Sequence, residues 1–120
     1  MTHIGGKNLE IKNEKPVVKD ISINSRVYYI VFHSPNCINC NYRLPLIQKA
    51  EKKLSDHGFK DAFVYVDFSK HKDLDKYKKI VKTIPKVYEV VNGDSNNYQY
   101  EINAENLVKR YAQLYKSTKK

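Results

Sequence analysis

The sequence has no tryptophan, only two cysteines, and no apolar run that could cross a bilayer. Its longest apolar stretch, residues 27–32, is far shorter than the ~20 residues that a membrane-spanning helix needs. Residues 1–12 contain no apolar segment typical of a signal peptide. Two cysteines are also too few for the disulfide framework of a small secreted domain. We therefore expect a cytoplasmic protein without a membrane partner.

Arginine is scarce although the chain is basic. The net charge is +9, from 22 Lys and Arg against 13 Asp and Glu, but arginine occurs only at Arg26, Arg43 and Arg110. Specific base recognition depends on arginine forks and stacked aromatic side chains, and no segment gathers them. The basic charge indicates either a solvated surface or attraction to acidic partners or nucleic acid, and we do not expect a dedicated nucleic-acid partner.

The length of 120 residues and a hydrophobic fraction of 41% fit one domain with a single core. No internal repeat or linker divides the chain, so we predict one domain over residues 1–120. The first 25 residues are less clear: they form an N-terminal extension, or they add an edge strand at residues 9–11 or 17–18.

Residues 26–33 and 62–68 are rich in β-branched and aromatic side chains, which is typical of buried strands. Between them, a helical pattern starts at Cys37, and Gly58 is a suitable left-handed stop for that helix. Pro45 lies inside the pattern, so we expect a kink there.

The second half of the chain predicts a helix, two strands and a last helix. Asp73 is the expected N-cap of the first of these helices. Asn92-Gly93 is a turn signal between strands predicted at residues 87–91 and 98–102, and Asn103 is placed to cap the final helix. The order β-α-β-α-β-β-α predicts an α/β fold with a mixed sheet of four to five strands and helices on both faces.

Cys37-Ile38-Asn39-Cys40 lies where a strand passes into a helix. A free thiol has a pKa of about 8.5, and the unpaired amides and dipole at a helix N-terminus favour the thiolate, which is the nucleophile. Cys40 is one turn later on the same face, in a deeper position. This geometry predicts that Cys37 attacks a substrate disulfide and that Cys40 resolves the resulting mixed disulfide.

Together with the cysteine pair, three further features make residues 26–115 resemble the thioredoxin family. Pro45, five residues after Cys40, matches the proline of the family's active-site helix. Thr83-Ile84-Pro85 matches its cis-proline loop, and Asn92-Gly93 falls seven and eight residues after that proline, as in thioredoxins. The resemblance implies a thioredoxin fold and thiol–disulfide exchange.

The resemblance also implies roles for individual residues. Cys37 is the expected nucleophile, Cys40 the resolving thiol and Pro85 the cis-proline. The substrate segment is expected to contact Asn36 and residues 83–85, with the backbone of Ile84 pairing with it. The implied partners are protein disulfides or dithiols and a separate reductase or dithiol donor, with no bound cofactor and no metal.

The sequence departs from the family pattern at several positions. Asn36 stands in place of the usual tryptophan, and Ile38-Asn39 replaces Gly-Pro between the cysteines. Val31 occupies the position of the buried acid that assists Cys40, so His33 or water is left to take its proton. Glutaredoxins also contain a Thr-x-Pro loop, but the glutathione-binding Gly-Gly and paired Asp are missing after Gly93.

Other interpretations of the cysteine pair remain open. It could form half of a zinc site, with His33 or a second chain supplying ligands, although zinc needs four ligands and there is no second pair. It could also be an inert disulfide. Our first hypothesis is a thioredoxin-like oxidoreductase, with Pro45 and His33 as supporting residues. The alternative is a redox-inert interaction module that uses the same groove.

Overall fold

A five-stranded mixed sheet forms the centre of the computed structural model, which describes residues 2–19, 26–70 and 74–118. From edge to edge its strands are β1 (Thr2–His3), β5 (Phe63–Asp67), β4 (Val27–His33), β6 (Lys86–Val91) and β7 (Asp94–Asn97). β1, β5 and β4 are parallel, whereas β6 and β7 each run antiparallel to the preceding strand. The predicted α/β fold with a mixed sheet is confirmed.

Helices cover both faces of this sheet. Helices α1 (Ile38–Asp56) and α3 (Ala104–Ser117) pack together on one face, where their apolar side chains meet alternate residues of β4 and β5. The short helix α2 (Asp75–Lys78) covers the other face, and Leu74 and Tyr77 are buried there. The predicted cap Asp73 lies outside the described residues.

Strand β4 is buried along its whole length, because it pairs with β5 on one side and with β6 on the other. Its alternate residues point into the two cores: Tyr29 and Val31 face α1 and α3, whereas Ile30 and Phe32 face α2. Strand β4 therefore fixes the point at which its last residue, His33, leads into the cysteine segment.

Helix α1 begins and ends as the sequence predicts. Cys37 is its N-cap, and the helix continues through Pro45 to Asp56. Gly58 has φ +94°, and the amides of Gly58 and Phe59 donate to the carbonyls of Ser55 and Leu54 at 2.9 Å, which is a Schellman ending.

The prediction of an edge strand at residues 9–11 or 17–18 was wrong, because β1 forms that edge of the five-stranded sheet. The predicted segments form a separate antiparallel hairpin of β2 (Leu9–Lys12) and β3 (Lys15–Val18). Asn13 and Glu14 have φ of 53° and 64°, the left-handed conformation of a two-residue hairpin turn. Leu9 and Val18 pack into the core on the α2 side, so the hairpin covers part of the sheet.

The strand predicted at residues 98–102 was also wrong. Asn92 and Gly93 have φ of 50° and 85°, and they make a two-residue turn that pairs Val91 directly with Asp94. Strand β7 therefore uses the polar residues that immediately follow the turn. The alternation from Tyr98 onward instead places that side chain in the core beside α3.

Buried tyrosine hydroxyls connect the sheet to α3. The hydroxyl of Tyr29 donates to the carbonyl of Leu107 at 2.8 Å, and that of Tyr111 donates to the carbonyl of Val27 at 2.9 Å. Asn103 caps α3, as predicted, by accepting a hydrogen bond from the amide of Asn106 at 2.8 Å. No helix in the described ranges is both long and apolar enough to span a membrane.

We predict that Tyr29→Phe lowers the free energy of unfolding by about 1 kcal/mol, because it removes a buried hydrogen bond with little change in packing. The urea midpoint of unfolding measures the change. Tyr100→Phe is the matched control, since Tyr100 is 54% exposed and its hydroxyl makes no hydrogen bond within the described residues. Equal midpoints for the two variants would contradict the prediction.

Candidate functional site: the Cys37–Cys40 disulfide

The chain turns sharply between the end of β4 and the start of α1, and Cys37 lies at the end of that turn. Its amide donates to the carbonyl of Ser34 at 3.1 Å. Its own backbone is extended, and its sulfur accepts a hydrogen bond from the amide of Cys40 at 3.1 Å. Cys37 therefore caps α1 with its reactive atom, in the place where serine or aspartate is more usual.

Cys37 and Cys40 form a disulfide across the first turn of α1, with 5.1 Å between their Cα atoms. Cys37 is partly exposed, whereas Cys40 is completely buried. A reagent in solvent therefore reaches the sulfur of Cys37 before that of Cys40.

The surroundings of Cys37 favour a negatively charged sulfur after reduction. The amide of Cys40 points at it, and helix α1, with 19 residues, directs the positive end of its dipole there. The first turn contains no acidic side chain that would oppose this charge. The helix start is thus suited to a thiolate at Cys37.

The loop at residues 83–85 approaches the disulfide from the end of β6. The peptide bond between Ile84 and Pro85 is cis, and the Ile84 carbonyl oxygen lies 3.6 Å from the sulfur of Cys37. Neither the amide nor the carbonyl of Ile84 bonds to another backbone group within the described residues. The structure therefore brings this loop and the cysteine pair together.

The remaining predicted site residues differ in their distance from the sulfurs. Asn36 is exposed and directly precedes Cys37. Pro45 lies inside α1, about 12 Å along the helix from Cys37 and exposed. Val31, in place of a buried acid, is fully buried in the apolar core on the α1 side.

His33 lies in a polar cluster at the end of β4. It pairs in register with Asp67 of β5, and its ring centroid lies 6.3 Å from that of His3 and 6.2 Å from that of Tyr65. His33 is buried, and its Nε2 atom has no hydrogen-bond partner within the described residues. Nor does any hydrogen bond there join His33 to either cysteine.

The electrostatics of this cluster keep His33 neutral and Asp67 ionised. Burial lowers the pKa of His33, and His3 and Lys70 lower it further, against the opposing effect of Asp67. Burial raises the pKa of Asp67, but hydrogen bonds from Ser69 and nearby positive charges outweigh it, so the net pKa is lowered. Ser69 donates to Asp67 from its amide at 2.8 Å and its hydroxyl at 2.7 Å.

Sequence reasoning missed the role of Asp67. It placed this residue in a strand but assigned no partner to its side chain. The signal was a single acidic residue near the end of an apolar strand, opposite the last residue of β4. The described residues contain no group of three or more His, Cys, Asp or Glu side chains that could hold a metal ion.

Two large apolar side chains beside the disulfide are open to solvent. Ile38 is 79% exposed and Tyr42 is 76% exposed, and both lie on the first turns of α1. Exposed apolar side chains of this size commonly mark surfaces that contact other proteins.

The chain is similar to several solved structures that contain thioredoxin domains. Human ERp44 in its zinc-bound form matches with a TM-score of 0.71 and 17% identity over 93% of this chain, which spans 30% of the ERp44 chain. The first thioredoxin domain of mouse protein disulfide-isomerase A4 matches with a TM-score of 0.65 and 18% identity, covering 89% of this chain and 79% of that one.

A third structure, thioredoxin-2 of a malaria parasite, matches with a TM-score of 0.62 and 17% identity over 78% of this chain and 87% of its own. No protein-family model matches the sequence, and comparison with curated proteins found no match. At these identities the solved structures show the fold, and they confirm the predicted thioredoxin fold.

We predict that His33 makes folding stability pH-dependent between about pH 7.5 and pH 5.5. Its folded pKa is lowered, so the unfolded chain binds the proton more readily, and stability falls as pH drops below the ordinary pKa of about 6.5. Urea unfolding at both pH values gives the loss in the free energy of unfolding on acidification. This loss should be on the order of 1 kcal/mol larger for the wild type than for His33→Gln.

The comparison with His33→Gln isolates this residue, because the other histidines are the same in both proteins. Asp67 stays ionised throughout the range, since its pKa lies below the ordinary 3.8. Parallel stability curves for the two proteins would show that His33 titrates normally and that the prediction is wrong.

Proposed function

We propose that this thioredoxin-fold chain is a thiol–disulfide oxidoreductase of the thioredoxin family, which exchanges disulfides with protein substrates through Cys37 and Cys40. One observation carries the proposal: a partly exposed sulfur caps a helix, and the buried sulfur bonded to it lies one turn further along the same helix. This arrangement supports Cys37 as the nucleophile and Cys40 as the resolving thiol.

The first step begins from the reduced protein. The Cys37 thiolate attacks one sulfur of a substrate disulfide, so that a bond forms between Cys37 and that sulfur while the substrate bond breaks. The second substrate sulfur leaves as a thiolate and takes a proton from water. The amide of Cys40 and the start of α1 stabilise the attacking anion until the bond forms.

The second step uses Cys40. It loses its proton and attacks the sulfur of Cys37, which forms the intramolecular disulfide and releases the substrate sulfur that was bound to Cys37 as a thiolate. This thiolate takes a proton from water, and two electrons have then passed to the substrate. The structure holds the oxidised product of this step, and a separate reductase or a dithiol returns two electrons to it. The sulfurs carry the electrons themselves, so the reaction needs no bound cofactor.

The proton of Cys40 has no buried acid to receive it at the position of Val31. A carboxylate there would accept this proton in a dry environment, whereas a valine cannot. We therefore assign the proton to water that enters with the substrate. His33 and Pro45 support the site by ending β4 and by lying within α1, respectively.

Protein substrates are favoured by the surface around Cys37. Exposed Ile38 and Tyr42 offer apolar contacts, and the backbone groups of Ile84, which bond to no other backbone group within the described residues, can bond to an extended segment in the manner of an added strand. Asn36 and Thr83 are exposed on either side of the reactive sulfur. A small disulfide would leave most of this surface unused.

The alternative of a redox-inert interaction module draws on the same groove and on the apolar residue Val31. The two functions differ in whether covalent exchange occurs.

A cytoplasmic location stays a prediction that depends on the low cysteine count.

We predict that the wild type catalyses dithiothreitol-dependent reduction of insulin and that Cys37→Ser lowers the rate to the uncatalysed background, because the nucleophile is removed. The turbidity of precipitating insulin chains measures the rate. Cys40→Ser should instead accumulate a mixed disulfide with its substrate, visible as a mass increase that dithiothreitol reverses.

A cysteine-free form, Cys37→Ser with Cys40→Ser, controls for non-specific effects on insulin aggregation. If the wild type and Cys37→Ser are equally active, the redox proposal fails and the interaction module is the better account.

A further inference from the structure

A groove of 460 Å³ lies beside the disulfide segment, on the surface between β5 and the end of α2. We call it the lysine groove. Its walls include polar residues near the disulfide, an apolar floor and two lysines: Asn36, Phe68, Lys78, Val81, Lys82 and Ile84. Its volume lies in the range of sites that bind ligands, and three other pockets of the structure include no residue of the cysteine segment.

The lysine groove lies next to the reactive sulfur, although neither cysteine lines it. Asn36 directly precedes Cys37, and the carbonyl oxygen of Ile84 lies 3.6 Å from the Cys37 sulfur. A substrate whose sulfur reaches Cys37 can therefore place the neighbouring part of its chain in the groove. The residues of the groove then contact the side chains that flank the substrate cysteine.

The floor of the groove is apolar and fixed. The ring of Phe68 stacks on that of buried Phe32 with 5.4 Å between centroids. Val81 is also buried, and Ile84 is half-buried. Such a floor suits the aliphatic parts of a polypeptide chain and excludes water from part of the contact.

The two lysines give the groove a positive rim. The Lys78 ammonium lies 5.9 Å from the Phe68 ring centroid and 3.6 Å from a carboxylate oxygen of Asp75. Asp75 is 85% exposed, and such surface pairs are weak. Lys82 is exposed and forms no salt bridge within the part of the chain that the structure describes. Both ammonium groups are therefore available to a ligand.

The segment that builds the rim is unusually basic. Residues 74–86 contain five lysines and one aspartate, a net charge of +4 out of +9 for the whole chain. The nearby carboxylate of Asp67 is buried and accepts both of the hydrogen bonds from Ser69. The local charge is positive where a substrate would approach.

We infer that the lysine groove selects protein disulfides whose reactive cysteine is flanked by acidic side chains in an extended segment. The inference rests on the proposed function and specifies the substrate class of the same site. The apolar floor holds the chain, the backbone of Ile84 pairs with it, and Lys78 and Lys82 attract its carboxylates. Charge complementarity of this kind acts mainly on the rate of association and on partner choice.

Nucleic acid is a less suitable occupant of the same positive surface. The lysine groove contains no arginine, and arginine forks are the usual readers of bases and phosphates. Its single aromatic ring, Phe68, stacks on another protein ring, so it is not free on both faces to stack with bases.

The test compares two disulfide-bonded peptides of identical length that differ only in the residues flanking the cysteines, which are Glu in one and Lys in the other. The pre-reduced full-length protein reacts with each, and thiol release gives the second-order rate constant. We expect the Glu peptide to react about tenfold faster at low ionic strength, with the preference shrinking as salt is added.

Two double variants assign the preference to the groove. Lys78→Glu with Lys82→Glu should abolish or reverse it. Lys49→Glu with Lys52→Glu is the control and changes the net charge by the same amount. Both positions are exposed on α1 and lie about 18 Å or more along the helix from Cys37. This control variant should keep the wild-type preference.

The inference is overturned if the two peptides react equally, or if both double variants lose the preference to the same extent. A competition experiment adds a third outcome. The inference also fails if a single-stranded oligonucleotide suppresses the reaction as well as a non-disulfide Glu peptide at the same concentration. A different result marks failure of the proposed function: no thiol release from any peptide. Fluorescence anisotropy then still measures how tightly the labelled peptides bind to Cys37→Ser. Tighter binding of the Glu peptide supports the selection for acidic segments, and equal binding contradicts it.

Discussion

The hydrogen bond from the amide of Cys40 to the sulfur of Cys37 joins the fold to its chemistry. It closes the first turn of α1, and it points a backbone donor at the atom that has to carry negative charge after reduction. The same residue is therefore the cap of a helix and the candidate nucleophile. Because β4 is buried on both faces and paired on both sides, the end of that strand, and with it the position of the cap, is fixed.

Much of this arrangement was predictable because it depends on local sequence signals. The apolar run of β4, the cysteines at helix spacing and Gly58 after the helix each have a strong local cause, and the structure agrees with all three. The cap at Asn103 belongs to the same class. At these positions the backbone conformation is determined by residues that are close in the sequence.

The predictions that failed depend on contacts between distant segments. The alternation from Tyr98 resembles a strand, but the two-residue turn at Asn92 and Gly93 had already set the register, and the polar residues of β7 occupy the sheet edge. The hairpin before residue 19 covers a core face whose existence depends on β4 and α2. The pairing of His33 with Asp67 likewise follows from the register of two strands, which no local pattern shows.

The division between rigid and variable parts suggests how such a site could acquire selectivity. The cysteine pair and the loop at residues 83–85 are fixed by β4, α1 and β6, so their positions leave little freedom to adapt to different substrates. The lysines of the groove, by contrast, have exposed side chains, although the segment that carries them also buries Tyr77 and Val81. Changes of charge there alter the approach of a substrate without moving the sulfurs. A buried apolar residue at Val31 fits the same division, because it contributes to the core and cannot accept a proton.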